Sequence, residues 1–463
     1  MKAVSVLVGP SIPASVRSKA NSGICLAAAL LACAALMFSS SRALAQAGAL
    51  DPTFGTAGVF ADGSGTAGTA VALQGDGKIV AGGVNALLEA SVVRLNTNGT
   101  LDSTFGANGN VTINFPGINL GPSQVIGLAI QSDGKIVAGI SNLNADANPL
   151  FVLARLNANG SLDPTFGTAG VVETQITAFG KAASVLALQP DGKILLAGES
   201  VIARYTTQGQ LDSAFGAAGI APIAAISATA MALQPDGKIL IAAGGAPAQP
   251  GFTTPLAGLA SLAGTIARYN PNGSADTAFG ISGQAASLAA VSAIAVQIEN
   301  GCVSTCKILV AGTTVSSLSV MSGNHTGFGL LRFNGNGSID TTFGKHGGVI
   351  TGFASTGRFA AAYALVLQPN GDMVAAGVAG QPGFGGATLS LSDFALARYS
   401  STGVLDTTFG SGGTATTALG TSSSVIYALA LQSDGKIVAV GSSLPIPNDG
   451  PTGGLVVARY LGQ

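Results

Sequence analysis

The sequence predicts an all-β protein. The expected fold is a seven-bladed β-propeller of four-stranded antiparallel blades, closed by pairing an N-terminal strand with the last blade. Three observations predict it. Three motifs each recur seven times in a fixed order. The composition suits many short strands joined by tight turns. The first and last copies of the repeat are incomplete in complementary ways.

The first motif is an apolar run, a turn and a second apolar run. It stands at Leu73 (LQGDGKI), Ile130 (IQSDGKI), Leu188 (LQPDGKI), Leu233 (LQPDGKI), Leu367 (LQPNGDM) and Leu431 (LQSDGKI), with a stretched copy from Val296, VQIENGCVSTCKILVAG. The second motif centres on an arginine: Arg94, Arg155, Arg204, Arg268, Arg332, Arg398 and Arg459. The third is LDxTFG, with its aspartate at Asp51, Asp102, Asp163, Asp212, Asp276, Asp340 and Asp406. Successive aspartates lie 51, 61, 49, 64, 64 and 66 residues apart, a period in the range of propeller blades and helical or β solenoids.

Each unit supplies four strands. Strand A is the ALALQ-type run. Pro-Asp-Gly follows, where Pro presets φ and Gly takes the left-handed position. Strand B is the ILLAG-type run and strand C the LARLN-type run. An Asn-Gly turn leads to strand D, placed on SLDPTFG. Four-stranded units repeated in this way are propeller blades packed face to face. The phase of the repeat predicts closure. Leu50 to Gly55 supplies a D strand with no A, B or C before it, and Leu455 to Tyr460 supplies a C strand with no D after it. Pairing the two orphans satisfies two exposed strand edges. A solenoid has no use for this offset. An outer-membrane barrel wants aromatic girdles, and the chain has no Trp and six Tyr.

Composition agrees. Charged residues are 9% and hydrophobic residues 47%, which disfavours disorder. The 67 glycines are close to twice the usual share of about 7%. Residues 1–45 read as a signal peptide: Lys2, Arg17 and Lys19, an apolar run from Ile24 to Phe38, then Ala43-Leu44-Ala45, leaving Gln46 first in the mature chain. The rivals are a retained anchor, for which the run is short against about 20 residues, and a lipoprotein at Cys33, which would cut the run in half. No later segment reads as a membrane span. Cys302 and Cys306 are the cysteines left. In an exported chain they suggest one disulfide, since zinc usually wants four ligands.

Most repeated residues read as structure. Arg155 falls opposite Asp163 across the C–D turn, and the seven Arg/Asp pairs read as a ladder. Taken as exposed, each pair is worth roughly 0–1 kcal/mol, so the expected role is register. Phe166 and its equivalents, Phe54, Phe105, Phe215, Phe279, Phe343 and Phe409, are expected between blades. Asn157-x-Asn159-Gly160-Ser161-x-Asp163 faintly resembles a calcium loop. It lacks the terminal bidentate Glu and has Gly at the wrong place, so a hairpin turn explains it better.

The same census argues against catalysis. Twelve of 21 acidic residues occupy two repeat positions. The spare groups are few: nine acids including Glu173 and Asp393, three bases (Lys181, Lys345, Arg358), and His325 and His346. That is a thin supply for a base, an orienting group and a charge stabiliser in one pocket. No cofactor or metal is expected. After residue 45 the chain carries 16 bases and 21 acids, a net charge near −5, which disfavours nucleic acid.

The combination LDxTFGxxGxV, LQPDGKIxxAG and LARLNxxGSLD, fullest at Leu162–Val171, Leu188–Gly198 and Leu153–Asp163, closely resembles the delta-60 repeat family of bacterial propeller proteins. The resemblance covers the chain after residue 45 and departs where Ala275 replaces Leu and Asn370-Gly371-Asp372 replaces Asp-Gly-Lys. It implies a propeller and an exported location, and it carries over no catalytic residues.

Strand order assigns the connections to faces. A–B and C–D turns share one face, and B–C and D–A connections the other. The B–C loops vary from Gly198–Val201 in blade three to Gly244–Gly264 in blade four, Thr313–Gly327 in blade five and Val378–Ser392 in blade six. Variable loops on a rigid scaffold usually carry binding. The expectation is therefore a monomeric binding or scaffold module of the cell envelope, meeting a protein or glycan through that face. The alternative is an enzyme at the central channel, which a cluster of Glu173, Asp393, Lys181 or Arg358 at one channel mouth would favour.

Overall fold

Twenty-eight strands form seven four-stranded antiparallel sheets in a computed structural model of the chain. It describes residues 46–462 apart from 63–66, 116–121, 143–149, 177–182, 224–226, 244–263, 288–289, 300, 317–324, 354–358, 383–388, 420–422 and 445–453. The expected signal peptide, Lys181, Arg358 and most of the long B–C loops lie outside the described residues.

Blade two shows the pattern. Strand A (Ser123–Ile130) pairs with B (Ile136–Asn142), B with C (Leu150–Leu156) and C with D (Val171–Gln175). Strand C is buried at every residue, because neighbouring blades cover both of its faces. Such strands read as unbroken apolar runs rather than alternating ones. The outer strand D alternates buried and exposed residues at its end. The A strands of adjacent blades touch all the way round the ring, blade seven against blade one included. Strand A is therefore the inner edge of every sheet and D the outer edge.

The protein has no single core. Its buried apolar residues divide into seven clusters, one between each pair of neighbouring blades. The last joins Phe54, Ile79, Ala81 and Leu95 to Val438, Val440 and Val457, residues from opposite ends of the chain.

Strand D differs from its expected place. LDxTFG is not a strand. It pairs with strand C for one bridge, as at Leu156 and Leu162, and then turns. The Asp163 side chain accepts the Thr165 amide at 3.1 Å and the Thr165 hydroxyl at 2.8 Å, an Asx-type turn that competes with strand pairing. Gly167, Ala169 and Gly170 then take positive φ, which no strand can continue through. His346 occupies the position equivalent to Ala169, with φ 56°. The D strand follows this hook.

Blade seven is built from both ends of the chain. Strands Ser423–Leu431, Ile437–Leu444 and Gly454–Tyr460 are completed by Val59–Ala61, with Val59 opposite Ala458 and Phe60 opposite Val457. Further bonds run from Gly48 N to Leu461 O (2.7 Å), Leu461 N to Ala49 O (2.9 Å) and Asp51 N to Arg459 O (2.8 Å).

Closure by this strand gives a direct test. A chain beginning at residue 63 leaves Gly454–Tyr460 as an open edge and Arg459 without Asp51. Compared with a chain beginning at residue 46, it should lose roughly 10 °C or more in Tm and aggregate on concentration. Equal Tm values and a monomeric elution profile would show that the ring closes without it.

Candidate functional site

The repeated polar residues converge on one arrangement, built seven times. Each arginine sits near the end of strand C. Its Nε donates to the aspartate of the following hook at 2.7–2.9 Å in all seven copies: Arg94–Asp102, Arg155–Asp163, Arg204–Asp212, Arg268–Asp276, Arg332–Asp340, Arg398–Asp406 and Arg459–Asp51. The guanidinium lies over the phenylalanine of the same hook, 4.4 Å from the ring centre for Arg94 over Phe105 and 4.9 Å for Arg398 over Phe409. All seven of these phenylalanines are fully buried.

Nη1 reaches across to the next blade. Arg94 donates to Ala158 O, Arg155 to Thr207 O and Arg332 to Ser401 O, each at 2.6 Å. Arg204 to Pro271, Arg268 to Gly335, Arg398 to Gly462 and Arg459 to Thr97 complete the circuit. Each acceptor is a main-chain carbonyl in the neighbour's C–D turn, or at Gly462 where blade seven's turn would stand. The hook glycine repeats the link, Gly106 N to Asn159 O at 2.8 Å for example. The turn glycine completes the contact. A Cβ on Gly160, at φ +87°, would stand 2.8 Å from Gly106 N and 3.2 Å from the Phe105 ring.

These pairs are buried, not exposed. The Arg155 and Asp163 side chains are 2% and 4% accessible. That moves them out of the weak surface class, because the hook and the neighbouring turn cover them from two sides. The turn lysines do more than their place in the A–B turns suggests. Six of them cap the aspartates: Lys78–Asp102, Lys135–Asp163 and Lys307–Asp340 at 3.0 Å, Lys193–Asp212 at 3.1 Å, and Lys238–Asp276 and Lys436–Asp51 at 3.5 Å. The signal was present, since blade six is the one copy with Asp372 in place of the lysine. Its Asp406 side chain is 21% accessible, against 3–11% for the other six.

Burial by itself would raise the aspartates. Hydrogen bonds from the hook, the lysines and the arginine charge outweigh it. All seven are held below the ordinary carboxylate range, Asp340 at about 2. Burial pushes up the three strand C tyrosines Tyr205, Tyr399 and Tyr460, and Tyr363 of an inner strand as well. Each of the strand C three donates to a threonine on strand D of the preceding blade: Thr174 at 2.8 Å, Thr351 at 2.7 Å and Thr417 at 2.9 Å.

Elsewhere, the Cys302 and Cys306 sulfurs are bonded at 2.10 Å within the long A–B turn of blade five. Among the described residues no group of three or more His, Cys, Asp or Glu could hold a metal, and no helix is long and apolar enough to cross a membrane. Of the groups whose clustering would favour channel chemistry, Glu173 lies on strand D of blade two and Asp393 on strand C of blade six. Neither is on a channel-lining strand. Burial raises the Asp393 carboxyl. The seven inner strands carry no Asp, Glu, Lys, Arg or His.

Two stability predictions follow from the buried arrangement. Asp163→Ala leaves Arg155 buried and unpaired and should cost about 3–5 kcal/mol. Phe166→Ala should cost a similar ~3–5 kcal/mol. Denaturant unfolding measures both, and losses under 1 kcal/mol would mean the site is more open than described. The depressed aspartates set the acid limit. Their contribution is complete above the unfolded value near about 4 and is lost as pH falls through the folded values. Tm should stay level down to about pH 4.5 and drop steeply between about pH 4 and 2. A decline beginning near neutrality would point to other groups.

Comparison with known proteins matches the repeat. A family described as Domain of unknown function (DUF5122) beta-propeller matches residues 74–105, 131–166, 189–215, 256–279, 307–343 and 368–409. No curated protein matches the chain. Among solved structures, the chain is similar to the extracellular domain assigned to a hybrid two component system, BT4673 of B. thetaiotaomicron (13% identity, TM-score 0.43, covering 90% of this chain and 40% of that one). It is also similar to Drosophila Plexin A in complex with Semaphorin 1b (10%, 0.44, 90% and 88%) and to the Xanthomonas campestris gluconolactonase XC5397 (13%, 0.33, 74% and 91%). The chain spans about 40% of the length of the first of these. The six matched segments, spread from residue 74 to 409, and the seven four-stranded sheets place the chain in the DUF5122 β-propeller family, consistent with the delta-60 repeat resemblance.

Proposed function

We propose that this protein is an exported, monomeric binding or scaffold module of the cell envelope, released from a signal peptide after residue 45. It meets a protein or glycan surface through its B–C and D–A connections. One observation carries the reading: the two faces are built to different rules. The A–B and C–D turns are mostly tight, and the Arg circuit ties C–D turn to blade all round the ring. The opposite connections are free of that circuit and vary in length. Only Gly198–Ser200 separates strands B and C in blade three, whereas 244–263 separates them in blade four. Residues 244–263, 317–324 and 383–388 contain no charged side chain, which suits contact with an extended surface better than capture of an ionic metabolite. A rigid ring carrying variable loops is the usual arrangement for recognition. The channel-enzyme alternative turns on Lys181 and Arg358, which lie outside the described residues, since the inner strands themselves present neutral side chains.

A pull-down tests it. Residues 46–463 serve as bait against solubilised envelope proteins and a glycan array, beside a variant with the blade four to six B–C loops shortened to the length in blade three. Capture of a partner by the first and not by the second is expected. Equal capture by both, or capture by neither, would overturn the loop-face reading.

A further inference from the structure

Two clefts on the tight-turn face show what lies between neighbouring blades. Both are walled by two A–B turns and touch the later blade's C–D turn. The cleft between blades seven and one has a volume of about 680 Å³ and follows the repeat. Asp76 and Asp434 beside it are each neutralised by the lysine of their own turn, at 3.6 and 3.0 Å.

The cleft between blades five and six, about 530 Å³, breaks the repeat on both sides. Blade five contributes its long turn, clipped by Cys302–Cys306. That turn presents Ile298 and Val303, 60% and 55% exposed. Blade six contributes Pro369-Asn370-Gly371-Asp372, with an acid where other blades have lysine. Lys307 is committed to Asp340. Unlike the lysines of the other cleft, Lys307 pairs with no acid of its own turn, and among the described residues neither Glu299 on the cleft nor Asp372 beside it forms an ion pair. Between the two turns lies Gln297, 2% exposed. Its Oε1 accepts from Arg332 Nη1 at 3.3 Å, and its Nε2 has no partner, as is also true of Gln234 Nε2 at the same position in blade four. That nitrogen lies against the blade six wall, 3.9 Å from where a Cβ on Gly371 would stand.

A buried amide donor without an acceptor is costly to leave unmade. Here it lies beside a wall of Ile298, Leu367 and Pro369, with Glu299 on the cleft and Asp372, which accepts from Asn370 Nδ2 at 2.7 Å, in the adjoining turn. We propose that this cleft is a second recognition site, which takes a peptide segment of a partner protein carrying an aliphatic side chain next to a lysine or arginine. The aliphatic group packs on Ile298, Leu367 and Pro369. Glu299 and Asp372 hold the cation. A small outward shift of the Gly371 turn lets Gln297 Nε2 donate to a peptide carbonyl. The lining holds no aromatic ring on which a sugar would stack. The site lies on the face opposite the variable loops and stands independently of them.

The test uses residues 46–463 with isotope-labelled isoleucine and valine methyls. The capped peptide acetyl-Ser-Leu-Arg-Ser-amide is titrated to millimolar concentration and followed by NMR. Saturable shifts at Ile298 and Val303 are expected, together with their loss when Gly replaces the peptide's Leu. Ile298→Ala should weaken binding about tenfold. Glu299→Gln and Asp372→Asn should each weaken it about threefold and flatten its salt dependence. Shortening the blade four to six B–C loops should change nothing, so a failure here is separable from a failure of the loop-face reading. Absence of saturable shifts, indifference to Ile298→Ala and Glu299→Gln, or tighter binding of a neutral oligosaccharide at the same methyls would overturn the proposal.

Discussion

The buried guanidinium is the interaction on which the rest of the structure depends. A charge removed from water needs partners for its donors. In each blade the arginine finds an aspartate, a phenylalanine face and, across the gap, a carbonyl of the next blade. Because the third partner always belongs to the neighbour, no blade is complete alone. Seven such links, each reaching forward one blade, bring the seventh back to the first. Apolar packing between sheets is non-directional and would tolerate sliding. The guanidinium fixes how far each blade is displaced against the next.

That constraint also explains the unequal treatment of the two faces. The turns that accept the arginine bonds have little room for insertion, since an added residue would move a carbonyl out of reach. The connections at the other end of the strands accept none of the arginine bonds. Variation accumulates there at little cost, because longer loops raise closure entropy only slowly. Blade five is the exception on the constrained face. It lengthens the A–B turn, which accepts no arginine bond, and leaves its C–D turn unchanged.

Much of the fold was legible because the repeat samples each position seven times. A short C–D turn ending at Gly160 sets Arg155 opposite Asp163, so the pair is legible in the sequence. Other features were hidden for physical reasons. Asp163 and Thr165 are two apart, a spacing that fits strand alternation as well as an Asx turn, so the hook was read as strand D. Lys135 follows a tight turn, where a lysine normally faces water, and only the packing of A–B turn over hook brings it to Asp163. The depth of the pairs depends on the neighbouring blade, which no single repeat can report. The loops that would name a ligand carry no repeat at all, and their Gly, Ala, Ser and Thr leave no chemical signature.

The forward reach of the arginines has a consequence in time. As the chain is made, each new blade leaves its guanidinium waiting for a turn not yet synthesised. Arg398 waits for Gly462, 64 residues later. Arg459 must find Asp51, more than four hundred residues earlier. Partial rings therefore carry an unsatisfied cation at one lip and an open strand edge at the other. Neither is relieved until blade seven takes up Val59–Ala61 and meets blade one, and assembly of the ring should be committed late and nearly all at once.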